Sequence, residues 1–171
     1  MLTSYLLLPL ALLFADGGEQ TSLPVAEVAS KAMFEICIPL IANESFDEVA
    51  LLGSWGARRV SDDASDRAKY ELQTSGAGTV DITILADRTV CSVHYVGSYS
   101  GVDEVKARLV RDGWEGRAAL TGQVWRKNRT FAATSWAQEA TDGPYEGRTY
   151  VVHPDSNAAI ELAEWFSPQA E

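Results

Sequence analysis

Apolar side chains recur at helical spacing in three parts of the chain, and each part predicts a helix packed on a core. The first follows Pro24, which suits the opening turn of a helix, and Pro39 is expected to end or kink it. The second follows a capping pattern at 45–48, and the third begins near Ser100 and ends at Gly113. The apolar positions are Val25, Val28, Ala29, Ala32, Met33, Ile36 and Cys37, then Val49, Ala50 and Leu52, then Val102, Val105, Ala107, Leu109 and Val110.

Segments rich in β-branched residues lie between turn residues and predict six strands. They are expected at 70–74, 79–85, 90–96, 122–127, 130–137 and 148–153. The second and third form the clearest hairpin, because a tight connection at Asp87 and Arg88 separates them, and the fourth and fifth meet at a turn around Asn128. A last helix, capped by Asp155 or Ser156, is expected after the final strand.

This order of elements favours a single α+β domain. We expect an antiparallel sheet of about five to six strands packed with three to four helices. With 171 residues, of which 46% are hydrophobic, the chain can bury one real core and is too short for two ordinary domains. No internal repeat or linker is evident in the sequence.

The amino terminus has the pattern of a targeting segment. Residues 1–15 contain no charge, and a nearly unbroken apolar run ends at Leu13-Phe14-Ala15, just before polar residues begin. The pattern predicts a signal peptide at 1–15 and a mature domain at 16–171, exported to the periplasm or secreted. Because no basic residue precedes the apolar run, a short membrane anchor and a later start codon are the alternatives. No later apolar stretch is long enough to span a membrane.

The formal net charge of −10 lies entirely in residues 16–171. An acidic domain is repelled by nucleic acid and by anionic lipid surfaces, so neither is expected as a partner. The charge serves either solubility alone or the attraction of a basic protein or ligand.

The chain has two cysteines, Cys37 and Cys91. An exported protein meets an oxidising compartment, where an even number of cysteines favours a disulfide. The pairing would join the first helix to the clearest hairpin. Two separately buried thiols are the alternative, because free cysteine is among the most buried residue types.

The sequence carries no recognisable motif for catalysis or metal binding, and no catalytic, metal or cofactor residue is assigned. Cys91 and His94 are three apart on a predicted strand, so their side chains are expected on opposite faces and not as a dyad. The run 97–101 has the glycine spacing of a serine-hydrolase elbow, but Tyr99 occupies the nucleophile position. The acidic cluster at 62–66 lacks the ligand spacing of a calcium loop.

Five tryptophans allow two interpretations. They either pack in and around the core or line an aromatic groove for a ligand or protein partner. The residues are Trp55, Trp114, Trp125, Trp136 and Trp165.

The segment Phe34-Glu35-Ile36-Cys37, the short helix ending at Gly53-Ser54-Trp55, and Cys91 on a strand together resemble small exported proteins of Gram-negative bacteria that have no assigned function. The resemblance covers residues 25–115. It implies export and a small α+β domain, and it supplies no catalytic or binding residue.

Two classes of function follow from these observations. The favoured hypothesis is a non-enzymatic exported protein of the envelope or the medium that binds a partner, with a basic partner suited to its charge. The alternative is a small hydrolase that acts on an envelope substrate through carboxylates. Plentiful acidic residues permit general acid–base catalysis, but no pair of them stands out in the sequence.

Overall fold

One antiparallel sheet of eight strands organises the molecule. The computed structural model describes residues 23–42, 47–60, 66–138, 143–164 and 166. The strands are β1 (Arg58–Arg59), β2 (Arg67–Leu72), β3 (Thr79–Leu85), β4 (Val90–Gly97), β5 (Glu115–Ala119), β6 (Gly122–Lys127), β7 (Thr130–Gln138) and β8 (Tyr145–Val152). The helical segments are α1 (Val25–Lys31), a π-helical segment (Ala32–Cys37), α2 (Ile38–Ile41), α3 (Glu48–Ser54), α4 (Ser100–Arg111) and α5 (Asn157–Glu164).

The α+β arrangement agrees with the sequence prediction, but the sheet is larger than the expected five to six strands. The first three helical segments run on without a break, so the described residues contain four helices. The two unpredicted strands are β1, which has only two residues, and β5. The β5 sequence Glu-Gly-Arg-Ala-Ala has no β-branched or aromatic residue, so its strand conformation depends on pairing with β6 and not on local preference.

The strand order is β1-β2-β3-β4-β8-β7-β6-β5. It consists of two four-stranded meanders that meet where β4 pairs with β8, with Cys91 opposite Val151. A helical stretch precedes each meander, and α1 packs against α4. The chain therefore has a two-fold arrangement of elements that no repeat in the sequence reveals.

The main core lies between the sheet and the helices α1, α2 and α4 with the π-helical segment. We call this side of the sheet the helix face. Its central strands present alternating buried residues, which include Val80, Ile82, Cys91, Val93 and Tyr95. A smaller core lies on the opposite side, where α5 covers β6, β7 and β8. Adjacent residues of a strand point to opposite faces, so the burial of both Val151 and Val152 shows that β8 is covered on both sides.

The first helix passes through Pro39 instead of ending there. Proline has no N–H to donate, and its ring collides with the preceding turn of an α-helix. The six residues before α2 widen to π-helical bonding, and the N–H of Ile38 donates to Met33 O, five residues back. This wider turn shifts the hydrogen-bonding register just ahead of the proline, so the helix continues to Ile41.

Burial corrects two predicted apolar stripes. In α3 Leu51 is buried and the predicted Leu52 is exposed, while the side chains of Val49 and Ala50 are outside those that the structure describes. In α4 the residues Val102, Val105 and Leu109 are buried, but the predicted Ala107 and Val110 face solvent. The last helix is capped as predicted, because Ser156 Oγ accepts a hydrogen bond from the Ala159 N–H at 3.2 Å.

The predicted disulfide is confirmed. Cys37, at the end of the π-helical segment, is bonded to Cys91 in β4, and their Cα atoms are 5.2 Å apart. Both cysteines are fully buried. The bond fastens the first helix to the middle of the sheet.

Some sequence predictions concern residues outside those that the structure describes. They are the signal peptide at 1–15, Ser45 and Phe46 of the capping pattern, Asp62 and Asp63, and Trp165. Among the described residues, no helix is both long enough and apolar enough to cross a membrane.

Candidate binding face

Polar side chains occupy the part of the sheet that faces away from the main core. This surface, which we call the open polar face, is formed by β2, β3, β4 and β8 and carries Lys69, Asp81, His94, Glu146 and Arg148. The strands place these residues by simple alternation, because the buried positions between them point to the helix face. Of the described helices, only α5 packs on this side of the sheet, and it covers the other end.

An imidazole held between two carboxylates lies at the centre of the open polar face. His94 Nε2 is 2.8 Å from Glu146 Oε1, and His94 Nδ1 is 3.7 Å from Asp81 Oδ2. The Asp81 carboxylate also pairs with Lys69 Nζ at 3.0 Å. The side chains of Asp81 and His94 are 15% and 25% exposed, so the centre of this network is partly buried, and each of the two has a charged partner within 4 Å.

Further charges extend the network along the sheet in both directions. Glu71 lies opposite Asp81 in the register of β2 and β3, and its carboxylate pairs with Arg58 at 2.8 Å. On the other side, Arg148 lies opposite His94 and is exposed. Tyr150 marks the border with α5, where burial, followed by the negative charge of Glu161, raises the pKa of its hydroxyl above the ordinary value.

The structure separates Cys91 from His94, as the strand alternation predicts. Cys91 lies in the main core within the disulfide, whereas His94 lies on the open polar face. Cys37 and Cys91 are therefore structural residues and take no part in this face.

The network offers hydrogen bonding and proton exchange on an accessible surface. An imidazole between carboxylates can hold or pass a proton, and Lys69 and Arg148 can pair with anionic groups. Among the described residues, no group of three or more histidine, cysteine, aspartate or glutamate side chains is placed to hold a metal ion. The hydrogen-bonding groups of this network suit polar recognition.

The sequence did not identify this cluster. Alternation along β3 and β4 was sufficient to place Asp81 and His94 on one side of the sheet. Glu146 is 52 residues from His94 in the chain, and nothing local to either residue indicates that they meet. The pairing of β4 with β8 brings them together.

The tryptophans mostly serve packing. Trp125 is buried, and its Nε1–H donates to Thr134 Oγ1 at 3.1 Å. Trp114 is also buried, while Trp55 and Trp136 are half-buried against the main core. None of these four lies on the open polar face.

The acidic charge is unevenly distributed along the chain. Of the 24 acidic residues, eight lie outside the described residues, whereas all 14 basic residues lie within them. The described part therefore holds 16 acidic and 14 basic residues, a formal net charge of −2 out of −10. Eight of the ten excess negative charges therefore belong to residues outside the described ranges, and four of these eight lie in 61–65 and 139–142, which adjoin sheet strands in sequence.

Comparison with known proteins identifies no relative: the chain matches no protein family, no curated protein and no solved structure.

Proposed function

We propose that this protein is an exported, non-enzymatic binding protein of the envelope or the medium that uses the open polar face to hold a basic partner. The observation that carries the proposal is the pre-arranged network of Asp81, His94 and Glu146 on a part of the sheet left uncovered by the described helices. Groups already fixed by neighbours lose little freedom when a partner binds. The carboxylates of Glu71 and Glu146 are 45% and 43% exposed and can accept further hydrogen bonds from cationic groups.

The acidic segments outside the described residues support the choice of a basic partner. Their charge acts over about 8–10 Å at physiological salt and raises the rate at which a cationic partner arrives. The short-range contacts would then come from the open polar face.

Export is part of this proposal. The uncharged apolar start of the chain supports it, and so does the buried disulfide, since such bonds persist mainly in oxidising compartments. Expression of the full chain with its leader in a Gram-negative host tests the proposal by fractionation and intact mass. We expect a soluble periplasmic or secreted product corresponding to 16–171, and full-length chain in the membrane fraction would contradict it.

Binding is tested with a lysine-rich peptide and its lysine-acetylated form. Calorimetric titration at about 20 mM and about 150 mM salt should show affinity for the cationic peptide that weakens as salt rises. The acetylated peptide should not bind. Binding that does not weaken with salt would show that charge attraction does not select the partner, and it would contradict the choice of a basic one.

Matched variants locate the site. Glu71→Gln removes an exposed carboxylate that is paired with Arg58 on the open polar face, and Glu104→Gln removes one that is paired with Arg111 on α4. The two carboxylates are almost equally exposed, at 45% and 46%. We expect Glu71→Gln and Glu146→Gln to weaken peptide binding several-fold more than Glu104→Gln does. Equal effects would show that only overall charge matters.

The contacts of His94 favour one alternative, a small hydrolase that uses carboxylates on an envelope substrate. Glu146 and Asp81 contact the two ring nitrogens, an arrangement that general acid–base catalysis can use. Turnover of an envelope substrate that falls by about 100-fold or more in folded His94→Ala would favour this function over binding.

A further inference from the structure

A small cavity opens between the helical layer and the turn that joins β6 to β7. Its volume is about 240 Å³. Phe34 and Ile38 come from the first helix, Arg108 and Trp114 from the end of α4 and the residues after it, and Lys127 from the end of β6. Sites for drug-sized ligands measure about 300–1,000 Å³, so this cavity suits a smaller molecule.

Arg108 is the group in this cavity whose chemistry points to a ligand. Its guanidinium carbon lies 4.4 Å from the centre of the Phe34 ring. It forms no hydrogen bond or ion pair with any residue that the structure describes, and Glu104, one turn earlier on α4, pairs with Arg111 instead. Stacking on a ring engages the flat face of a guanidinium and leaves the N–H donors at its edge available. Arg108 is therefore held in place and still able to bind an anion.

The remaining charges of the cavity limit what kind of anion fits. Lys127 Nζ donates to the main-chain oxygen of Asp112 at 2.7 Å and has further N–H groups to offer. Asp112 also lines the cavity, so its lining includes two basic residues and one acidic residue. This balance suits a single negative charge, because the carboxylate repels an anion with two or more charges.

The walls of the cavity indicate which uncharged part of a ligand would fit. Phe34, Ile38 and Trp114 present apolar surface beside the two cations. A site that is apolar on one side and cationic on the other matches a molecule with an apolar body and one carboxylate. An arginine fork pairs with a carboxylate through two parallel hydrogen bonds.

We propose that this cavity binds a small apolar monocarboxylate, with the carboxylate on Arg108 and Lys127 and the apolar body against Phe34 and Trp114. The site goes beyond the proposed function, because it uses other elements than the open polar face and takes a ligand of the opposite charge.

Calorimetric titration of the full chain with phenylacetate tests the proposal, with phenylacetamide and inorganic phosphate as matched probes. We expect saturable binding of phenylacetate, and binding at least about 10-fold weaker for the neutral amide, which lacks the charge-assisted hydrogen bonds. Phosphate should bind more weakly than phenylacetate because of Asp112. Equal binding of the acid and the amide, or tighter binding of phosphate, would overturn the proposal.

Two arginine variants on the same helix decide whether Arg108 is the receptor. Arg108→Gln should weaken phenylacetate binding by about 10-fold or more, whereas Arg111→Gln, which removes a charge already paired with Glu104, should change it less than about two-fold. Urea unfolding confirms that each variant is folded. If Arg108→Gln does not fold, Lys127→Gln replaces it, with a several-fold loss expected. Unchanged binding in a folded variant, or no saturable binding by the wild type, would refute the site.

Discussion

At the scale of single residues, close approach to a neighbouring ring or backbone decides which positions must be glycine. Gly147 in β8 lies under the ring of Tyr95, and a Cβ atom there would overlap that ring. Tyr95 is almost fully buried between β4 and the helices, and burial raises the pKa of its hydroxyl well above the ordinary value. The ring has no room to move aside, so the missing side chain at Gly147 is part of the packing of the core.

A pair of glycine variants measures this constraint. Gly147→Ala should lower the free energy of unfolding by about 1–3 kcal/mol, because the added methyl group overpacks the core. Gly53→Ala in α3 meets nothing within 4 Å and should raise it by about 0.4–1 kcal/mol, because alanine restricts the unfolded chain and favours helix. Urea unfolding of both variants gives the comparison, and a Gly147→Ala protein as stable as the wild type would contradict the packing described.

At the scale of elements, hydrogen bonds to Glu48 fasten the short helix α3 to the sheet. Tyr70 in β2 donates its hydroxyl to Glu48 Oε1 at 2.7 Å, and Arg59 Nη1 lies 3.3 Å from the same oxygen. Burial, the hydrogen bond to Glu48 and the charge of Glu48 together raise the pKa of Tyr70 to about 12. A helix of seven residues is too short to persist alone, so such contacts hold it.

This raised pKa predicts a specific dependence on alkaline pH. The unfolded chain has the ordinary tyrosine pKa of about 10, so the folded state favours the protonated hydroxyl. The stabilisation by Tyr70 is complete below pH 10 and is lost as the pH rises from about 10 to about 12. Tyr70→Phe should therefore be about 1 kcal/mol less stable than the wild type near neutral pH. Across that range the wild type alone loses the contribution of Tyr70, so the difference should shrink and then reverse in sign.

Unfolding free energies of both proteins from about pH 8 to about pH 12 measure the effect. Titration of phenolate absorbance in Glu48→Gln provides the control, because loss of the carboxylate should lower the pKa of Tyr70 toward 10. A stability difference that stays constant with pH would exclude Tyr70 as the cause.

Some of the helices and strands could be predicted from the sequence, and others could not. Both predicted hairpins are present, and each turn contains a residue with positive φ, Arg88 at 56° and Asn128 at 57°. Asparagine accepts this conformation readily, whereas arginine rarely adopts it. The π-helical segment was not predicted, because its apolar spacing is almost that of an α-helix. β1 and β5 were missed because they lack residues with strand preference. The contact of His94 with Glu146 was missed because only the pairing of the distant strands β4 and β8 creates it.

At the scale of the molecule, the disulfide and the central pairing of β4 with β8 hold together parts that are far apart in sequence. The Cys37–Cys91 bond spans a sequence separation of 54 residues and joins the helical layer to the sheet. A cross-link over such a loop restricts the unfolded chain much more than the folded one.

Removal of the disulfide should therefore destabilise the whole molecule. We expect Cys37→Ala with Cys91→Ala to lower the free energy of unfolding by about 4 kcal/mol in the chain-entropy description. Urea unfolding with and without reductant measures the change. Reductant should lower the stability of the wild type and leave the double variant unchanged, and a wild type insensitive to complete reduction would contradict this role.

The two-meander strand order has a consequence for a chain that emerges from a ribosome or a membrane pore from its amino terminus. Within the first meander each strand pairs with its neighbour in sequence, β8 is the one later strand that joins it, at β4, and both cysteines lie at or before residue 91. The first half can thus form its hairpins and its covalent bond early, while the outer edge of β4 stays open until Val152 has appeared. An open edge is a site for pairing with other chains. Pairing of β8 with β4 therefore completes the sheet last. A chain that stops before β8 would leave the edge of β4 open to pairing with a strand of another chain.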